Sequence, residues 1–379
     1  MAERMPCKKI KVERPFFRHV QTQLRKYKDV VCNAIKILDT DQWATFCFVK
    51  ILSCNGAYSC CFSRAWCETM RNIQDPDESK RCIVKFTKVF DVDLVCQFLE
   101  NSDDVDISLI TDSQLAAFKR LAHFLDTRDE IKGILEAQSL RTTKESTWAA
   151  ILGTHLLSKL AVSEQMTVDS EYPEKTTVCP CGCKAPIKVG DNSMGHEAVW
   201  HGSVDILLGP VAVVSSSADT SEEACDESNS AFELERGELE ESRSQIIAET
   251  IVFSFIQKCG LVPTIGISKE NLKIFMYDPQ FDLLYESSEI QLFEPLQGME
   301  FNITTVVAMW LAINYSHFCT GVKHAHEEFG YTADFKVHVD RTFKIYQKGL
   351  KMGGCKHVKN HLAKYKAPEN TGKFPSLGD

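Results

Sequence analysis

"VWHGSVDILLG", Val199 to Gly209, is the stretch on which the fold turns. Tryptophan, valine, isoleucine and leucine at this density predict a strand bounded by glycines. One acidic side chain, Asp205, interrupts it. A carboxylate in a half-buried strand needs a metal ion, a cation or a hydrogen-bond donor as partner. Which of these serves Asp205 depends on the elements either side.

Upstream, "KESTWAAILGTHLLSKLAVSEQM" places Trp148, Ile151, Leu152, His155, Leu156 and Lys159 in helical register. A polar stretch with "VCPCGCKAP" follows. Downstream come "VAVVSSS" and an acidic, serine-rich block, "ADTSEEACDESNSAFELERGELEES", whose carboxylates face a single arginine, Arg236. Such self-repelling composition predicts a mobile loop over 218–231. "SQIIAETIVFSFIQK" then reads as a helix with little polar surface. "LVPTIGISKENLKIFMYDPQFDLLYES" reads as two strands around a Lys269-Glu270-Asn271 turn.

The order is therefore helix, strand, strand with an aspartate, strand, helix, strand. It resembles the αβββαβ core of the PD-(D/E)XK nuclease superfamily, especially its RecB-like and phage-type exonuclease branch. The resemblance implies an α+β fold, with a mixed sheet flanked by helices, and a Mg²⁺ or Mn²⁺ ion held by converging carboxylates, since a hard cation takes oxygen ligands. It implies that the metal polarises a phosphate of DNA or RNA and activates water. Asp205 matches the strand aspartate, with Gly202 suiting a tight approach to that strand, and Gln245 matches the glutamine opening the next helix. Glu145, or alternatively Glu164, stands for the first-helix glutamate. If "AFELERG" is the third strand, Glu233 is the second metal ligand and Glu235 occupies the lysine position. If "VAVVSSS" is that strand, Ser215 and Ser217 replace both motif residues. Either alignment loses the lysine, so a nuclease is expected beside an alternative from another class. That alternative is a catalytically inactive nuclease-fold module, binding nucleic acid or a protein partner through its acidic loop.

The preceding part, 1–140, reads as a small α+β domain of unknown role. Arg14-Pro15 opens a helix, and Phe17, Val20, Leu24, Tyr27, Val31, Ile35 and Leu38 form one apolar stripe. "WATFCFVKILSCNGAYSCCFSRAW" predicts a tight hairpin at Asn55-Gly56, "RCIVKFTKVF" a further strand, and "DSQLAAFKRLAHFLDTRDEIKGILEAQ" one long helix or two short ones. Residues 141–335 form the nuclease-like domain, and 336–379 a basic C-terminal extension. There Lys344, Lys348, Lys351, Lys356 and Lys359 alternate with Phe343, Tyr346 and Tyr365, a pattern suited to phosphate contact and base stacking.

Composition bounds these readings. The 379 residues carry a net charge of −9, which excludes a surface built throughout for nucleic acid. Sixteen cysteines without a secretory signal predict reduced thiols in a nuclear or cytoplasmic protein. "ITTVVAMWLAINYSHFC" is a buried helix, interrupted by Asn314 and His317 and too short to span a bilayer, so no membrane is expected. Cys179, Cys181 and Cys183 offer Zn²⁺ three thiolates if His196, His201 or another residue supplies a fourth ligand; a reduced turn is the plainer reading. Cys47, Cys54, Cys60, Cys61 and Cys67 read as buried free thiols. His317, Cys319, His324 and His326 read as a helix end bonding backbone carbonyls or water. No nucleophile elbow or phosphate-binding Gly-Lys-Ser/Thr loop occurs.

Overall fold

The computed structural model describes residues 14–40, 45–71, 83–100, 110–138, 145–163, 165–169, 177–215, 238–258, 260–295, 298–321 and 330–355. The acidic loop, Glu164, Glu233, Glu235, His324, His326, Lys356 and Lys359 lie outside them.

One long sheet dominates. Its strands are β1 (Thr45–Cys54), β3 (Cys67–Arg71), β4 (Ile83–Lys85), β5 (Met166–Asp169), β6 (Val189–Gly190), β9 (Ile206–Leu208), β10 (Val211–Ser215), β11 (Val262–Ile267), β12 (Asn271–Asp278), β13 (Leu283–Ser287) and β14 (Ile290–Gln291). The main path runs β3-β1-β13-β12-β11-β10-β9-β5-β6. A second, four-stranded sheet joins β2 (Cys60–Cys61), β7 (Ser193–Gly195), β8 (Trp200–Ser203) and β15 (Lys351–Met352).

The α+β class stands, whereas the order of elements around Asp205 is longer than expected, with the short β6, β7 and β8 between β5 and β9. Helix α5 (Glu145–Leu152) precedes β5, which pairs antiparallel with β9, and β9 pairs antiparallel with β10. β10 then pairs parallel with β11, and a parallel pair needs a crossover, here containing α6 (Arg243–Gln257). Every position of β11 and β13 is buried, as is all but the first of β12, so both faces of the sheet are covered there. Helix α6 packs against the large sheet and against β7 and β8 of the small one. That double burial explains why Ile246 to Phe255 is buried without a break, its polar residues included.

Helices α1 (Arg14–Arg25), α2 (Lys28–Leu38), α3 (Val92–Glu100), α4 (Asp112–Glu136) and α7 (Ile303–Ile313) form a helical layer. The single apolar stripe is shared by two helices with a break at Lys26-Tyr27, and six of its seven residues are buried. The segment Asp112–Glu136 is one helix, entered through a capping box in which the Thr111 side chain accepts from the Gln114 amide. Apart from Ile303, α7 is buried along its length, and Trp310 Nε1 donates to the Ala117 carbonyl at 2.9 Å. Among the described residues no helix is long and apolar enough to cross a membrane.

Several expectations change. Asn55-Gly56 makes no two-residue hairpin: β1 pairs with β3, whereas β2 leaves for the other sheet and pairs parallel with β8. The reason is the Asn55 side chain. Its oxygen accepts from Trp66 N at 2.9 Å and Trp200 Nε1 at 2.8 Å, and its amide donates to Arg64 O, so it organises a wide turn around a distant tryptophan. The boundary drawn near residue 140 does not divide the sheet, because β1 pairs with β13. Nor is the chain after residue 336 an extension as far as Cys355. Tyr346 of α8 (Phe343–Lys348) is buried and donates to Gly56 O at 2.7 Å, and β15 pairs with β7. "LVPTIGISKENLKIFMYDPQFDLLYES" supplies three strands rather than two.

Candidate functional site

Asp205 does not lie inside one strand. The stretch Val199–Gly209 breaks at Val204-Asp205, with β8 in the small sheet and β9 in the large one. Gly202 has φ +149°, and a Cβ there would meet Phe62 at 2.8 Å, so glycine is required where the chain passes between sheets. The Asp205 carbonyl is held at this corner by the Asp169 amide at 2.9 Å and by Asn192 Nδ2 at 3.4 Å. Asn192 also donates its side chain to Thr167 O and its backbone amide to Asp169 Oδ2.

Gln245 sits in the first turn of α6, as expected, and its Nε2 donates to Glu249 Oε1 at 2.9 Å. Glu249, which sequence reasoning passed over, is wholly buried, and its Oε2 has no hydrogen-bond partner among the described residues. Burial pushes its carboxyl well above the usual range; the Gln245 bond only partly offsets this, and the charge of Asp205 adds to the rise. The structure thus brings together Asp205, Gln245 and Glu249. The apolar periodicity of "SQIIAETIVFSFIQK" contained the signal for Glu249: one carboxylate on a helix with no solvent-facing side.

Among the described residues, no expected partner carboxylate or lysine joins this corner. The strand that follows β9 is β10, within "VAVVSSS", and it carries no carboxylate and no lysine. Its register sets Val213 opposite Ile206 and Ala212 opposite Leu207. Glu233, taken as the second metal ligand, is outside the described residues and is not on that strand. Glu145 opens α5. Among the described residues Asp205 and Glu249 join no group of three or more metal-ligating side chains. Mg²⁺ or Mn²⁺ needs several converging oxygens, and Asp205 and Glu249 alone are too few. The described residues do not complete a site for that ion.

A different cluster does converge. His155, Cys179, Cys181 and Cys183 place one ligand atom each within 4.8 Å of one another, a set able to hold a metal ion. His155 Nε2 lies 3.1 Å from Cys181 Sγ and 3.5 Å from the sulfurs of Cys179 and Cys183. Cys179 and Cys181 are 3.3 Å apart. The histidine comes from a π-turn, Gly153–Leu157, directly after α5. Burial pushes the Cys179 thiol up to about 12. The fourth member is neither histidine expected: His196 accepts from the Ala198 amide and His201 bonds Val199 O, both as local turn contacts.

The basic segment presents Lys344, Lys348 and Lys351 as exposed cations, whereas Tyr346 points into the core and cannot stack on a base. Tyr346 lies among Trp200, Phe255 and Phe335, with ring centroids 5.0–6.5 Å away. His317 is half-buried at the end of a short helix, and its carbonyl accepts from Gln114. Cys54, Cys60 and Cys67 are buried free thiols, with Cys47 and Cys61 half-buried. Compared with protein-family models, curated proteins and solved structures, the chain matches none.

Proposed function

We propose that the protein is a nuclease-fold module of the PD-(D/E)XK type that has lost cleavage chemistry and acts by binding. The observation that carries this reading is β10. In an αβββαβ core, the third strand brings a carboxylate and a lysine beside the metal-binding aspartate. Here that strand reads Val211-Ala212-Val213-Val214-Ser215. Without the carboxylate the described residues hold no converging oxygen set for Mg²⁺, and the strand offers no lysine to position an attacking water or offset developing charge. The strand order β5-β9-β10-β11, with its single parallel pair, supports the fold assignment. The Asp205 corner is then an architectural remnant tying the two sheets together.

The ligand this reading favours is a nucleic-acid backbone. Lys344, Lys348 and Lys351 are exposed on one short stretch, and the inward-turned Tyr346 leaves phosphate contact without base stacking. The test is incubation of the full chain with single- and double-stranded DNA and RNA, with Mg²⁺ or Mn²⁺, beside Asp205→Ala. The expected result is no cleavage by either protein, and salt-sensitive binding that Lys344→Gln/Lys348→Gln/Lys351→Gln weakens. Cleavage abolished by Asp205→Ala would overturn the proposal. Binding insensitive to salt and to the lysine changes would remove nucleic acid as the ligand.

A further inference from the structure

We propose that His155, Cys179, Cys181 and Cys183 bind one zinc ion in a closed, structural Cys₃His site that fastens the π-turn of the helix ending at Leu160 to the loop inserted before Val189. The inference is independent of the nuclease-fold reading.

Ligand identity points to the metal. Three thiolates and an imidazole are soft and borderline donors, which select zinc over magnesium or calcium. Four protein ligands leave no open position, as in structural rather than catalytic zinc sites. The spacing agrees. Zn–S bonds of about 2.3 Å and Zn–N bonds of about 2.0–2.1 Å at tetrahedral angles set S···N near about 3.6 Å and S···S near about 3.8 Å. The three His155–sulfur distances are 3.1–3.5 Å, and Cys179 and Cys181 are 3.3 Å apart. That last separation is far beyond the roughly 2.05 Å of a disulfide, and all three thiols are free.

The surrounding backbone is shaped for thiolates. Gly182 and Lys184 take positive φ angles, +88° and +62°, which curl the loop round the sulfurs. The Cys183 amide donates to Cys181 Sγ and the Ala185 amide to Cys183 Sγ, both at 3.4 Å. Such N–H···S bonds around the ligands stabilise the anionic form that a metal requires. The loop is closed at its base by Cys179 N to Ala185 O at 2.7 Å and Ile187 N to Thr177 O at 2.8 Å. The π-turn is the second device. A π-bulge displaces the helical register by one residue, a geometry concentrated at functional positions. Here it sits where His155, otherwise a buried polar side chain, meets the loop.

The experiment is metal analysis of the full chain purified without added chelator, followed by cobalt substitution. About one zinc per chain is expected, with thiolate-to-cobalt charge-transfer bands and tetrahedral d–d absorption in the Co²⁺ form. Cys181→Ser should reduce zinc content several-fold, Cys319→Ser should leave it unchanged, and His155→Cys should retain the metal with a shifted cobalt spectrum. Zinc below about one-fifth per chain after reconstitution overturns the proposal. So does a cobalt form lacking charge-transfer bands, or zinc that survives Cys181→Ser. If Cys181→Ser does not fold, the cobalt spectrum of the unmodified chain decides the question.

Discussion

Replacing Glu249 by glutamine should stabilise the protein, and increasingly so as pH rises. Glu249 is wholly buried, accepts one bond from Gln245, and leaves its second oxygen without a partner among the described residues. Burial raises its folded pKa well above the ordinary value, with the Asp205 charge adding to the rise. Above the unfolded pKa, the native state therefore binds a proton that the unfolded state has released. Stability must fall as pH rises from the ordinary carboxylate range up to the folded pKa, by about 1.4 kcal/mol per pH unit for a single proton. Glutamine keeps the shape and the uncharged state at every pH, so Glu249→Gln removes that slope. The two proteins should unfold alike near pH 4, and the variant should gain about 1.4 kcal/mol with each unit above the carboxylate range until the folded pKa is passed. Urea unfolding of both at pH 4, 5, 6 and 7 measures the gap. A gap independent of pH would refute the protonated state. The same titration with millimolar Mg²⁺ tests the functional proposal: if the ion abolished the gap, Asp205 and Glu249 would be binding it together, and the non-cleaving reading would fall.

Other outcomes follow from the same packing. Arg243→Met should cost about 2–3 kcal/mol, because Arg243 donates through Nε and Nη2 to the buried Glu286 at 2.9 and 2.7 Å. Burial alone would raise the Glu286 carboxyl, but Arg243, Lys273 and Arg71 outweigh it and hold the group below its usual range. Its stabilisation is then present above the unfolded pKa and lost as pH falls through the folded one, so the variant should show a shallower loss of stability in acid, measured by unfolding between pH 5 and 3. Trp200→Ala should cost about 3–5 kcal/mol by removing a fully buried indole stacked on Phe335, whereas Trp200→Phe should cost about 1 kcal/mol for the bond to Asn55; thermal unfolding separates the two. Each of Lys344→Gln, Lys348→Gln and Lys351→Gln should lower the salt slope of nucleic-acid binding by about one, in anisotropy titrations against salt, wherever that lysine touches a phosphate.

Much of the fold is written in local pattern. The periodicity of Asp112–Glu136, the apolar runs of α6 and α7, and the strands around Ser268–Glu270 report faithfully which elements form, because burial of one face is a property of nearby residues. The place of Gln245 in the first turn of α6 was legible for a related reason: element order restricts a parallel pair with a helical crossover to few topologies. The sulfur trio was legible too, since its three members are almost adjacent in sequence.

What local pattern did not contain was the partner of each group. The strand through Asp205 reads as continuous, yet it divides between two sheets, because Phe62 packed against Gly202 and the Asn192 cross-links act from outside the stretch. Asn55-Gly56 has the chemistry of a tight turn, but a tryptophan 145 residues away claims the asparagine side chain. Tyr346 reads as a base-stacking residue between lysines and is instead a core residue bonded to Gly56. By itself the sequence determined the elements, the α+β class and the thiols able to ligate a metal. Only the tertiary structure decided that His155 completes the thiol cluster, that Glu249 is buried within reach of the Asp205 charge, and that β10 carries no carboxylate or lysine. Periodicity records that a face is buried, and a chemical site depends on which distant residue is buried against it.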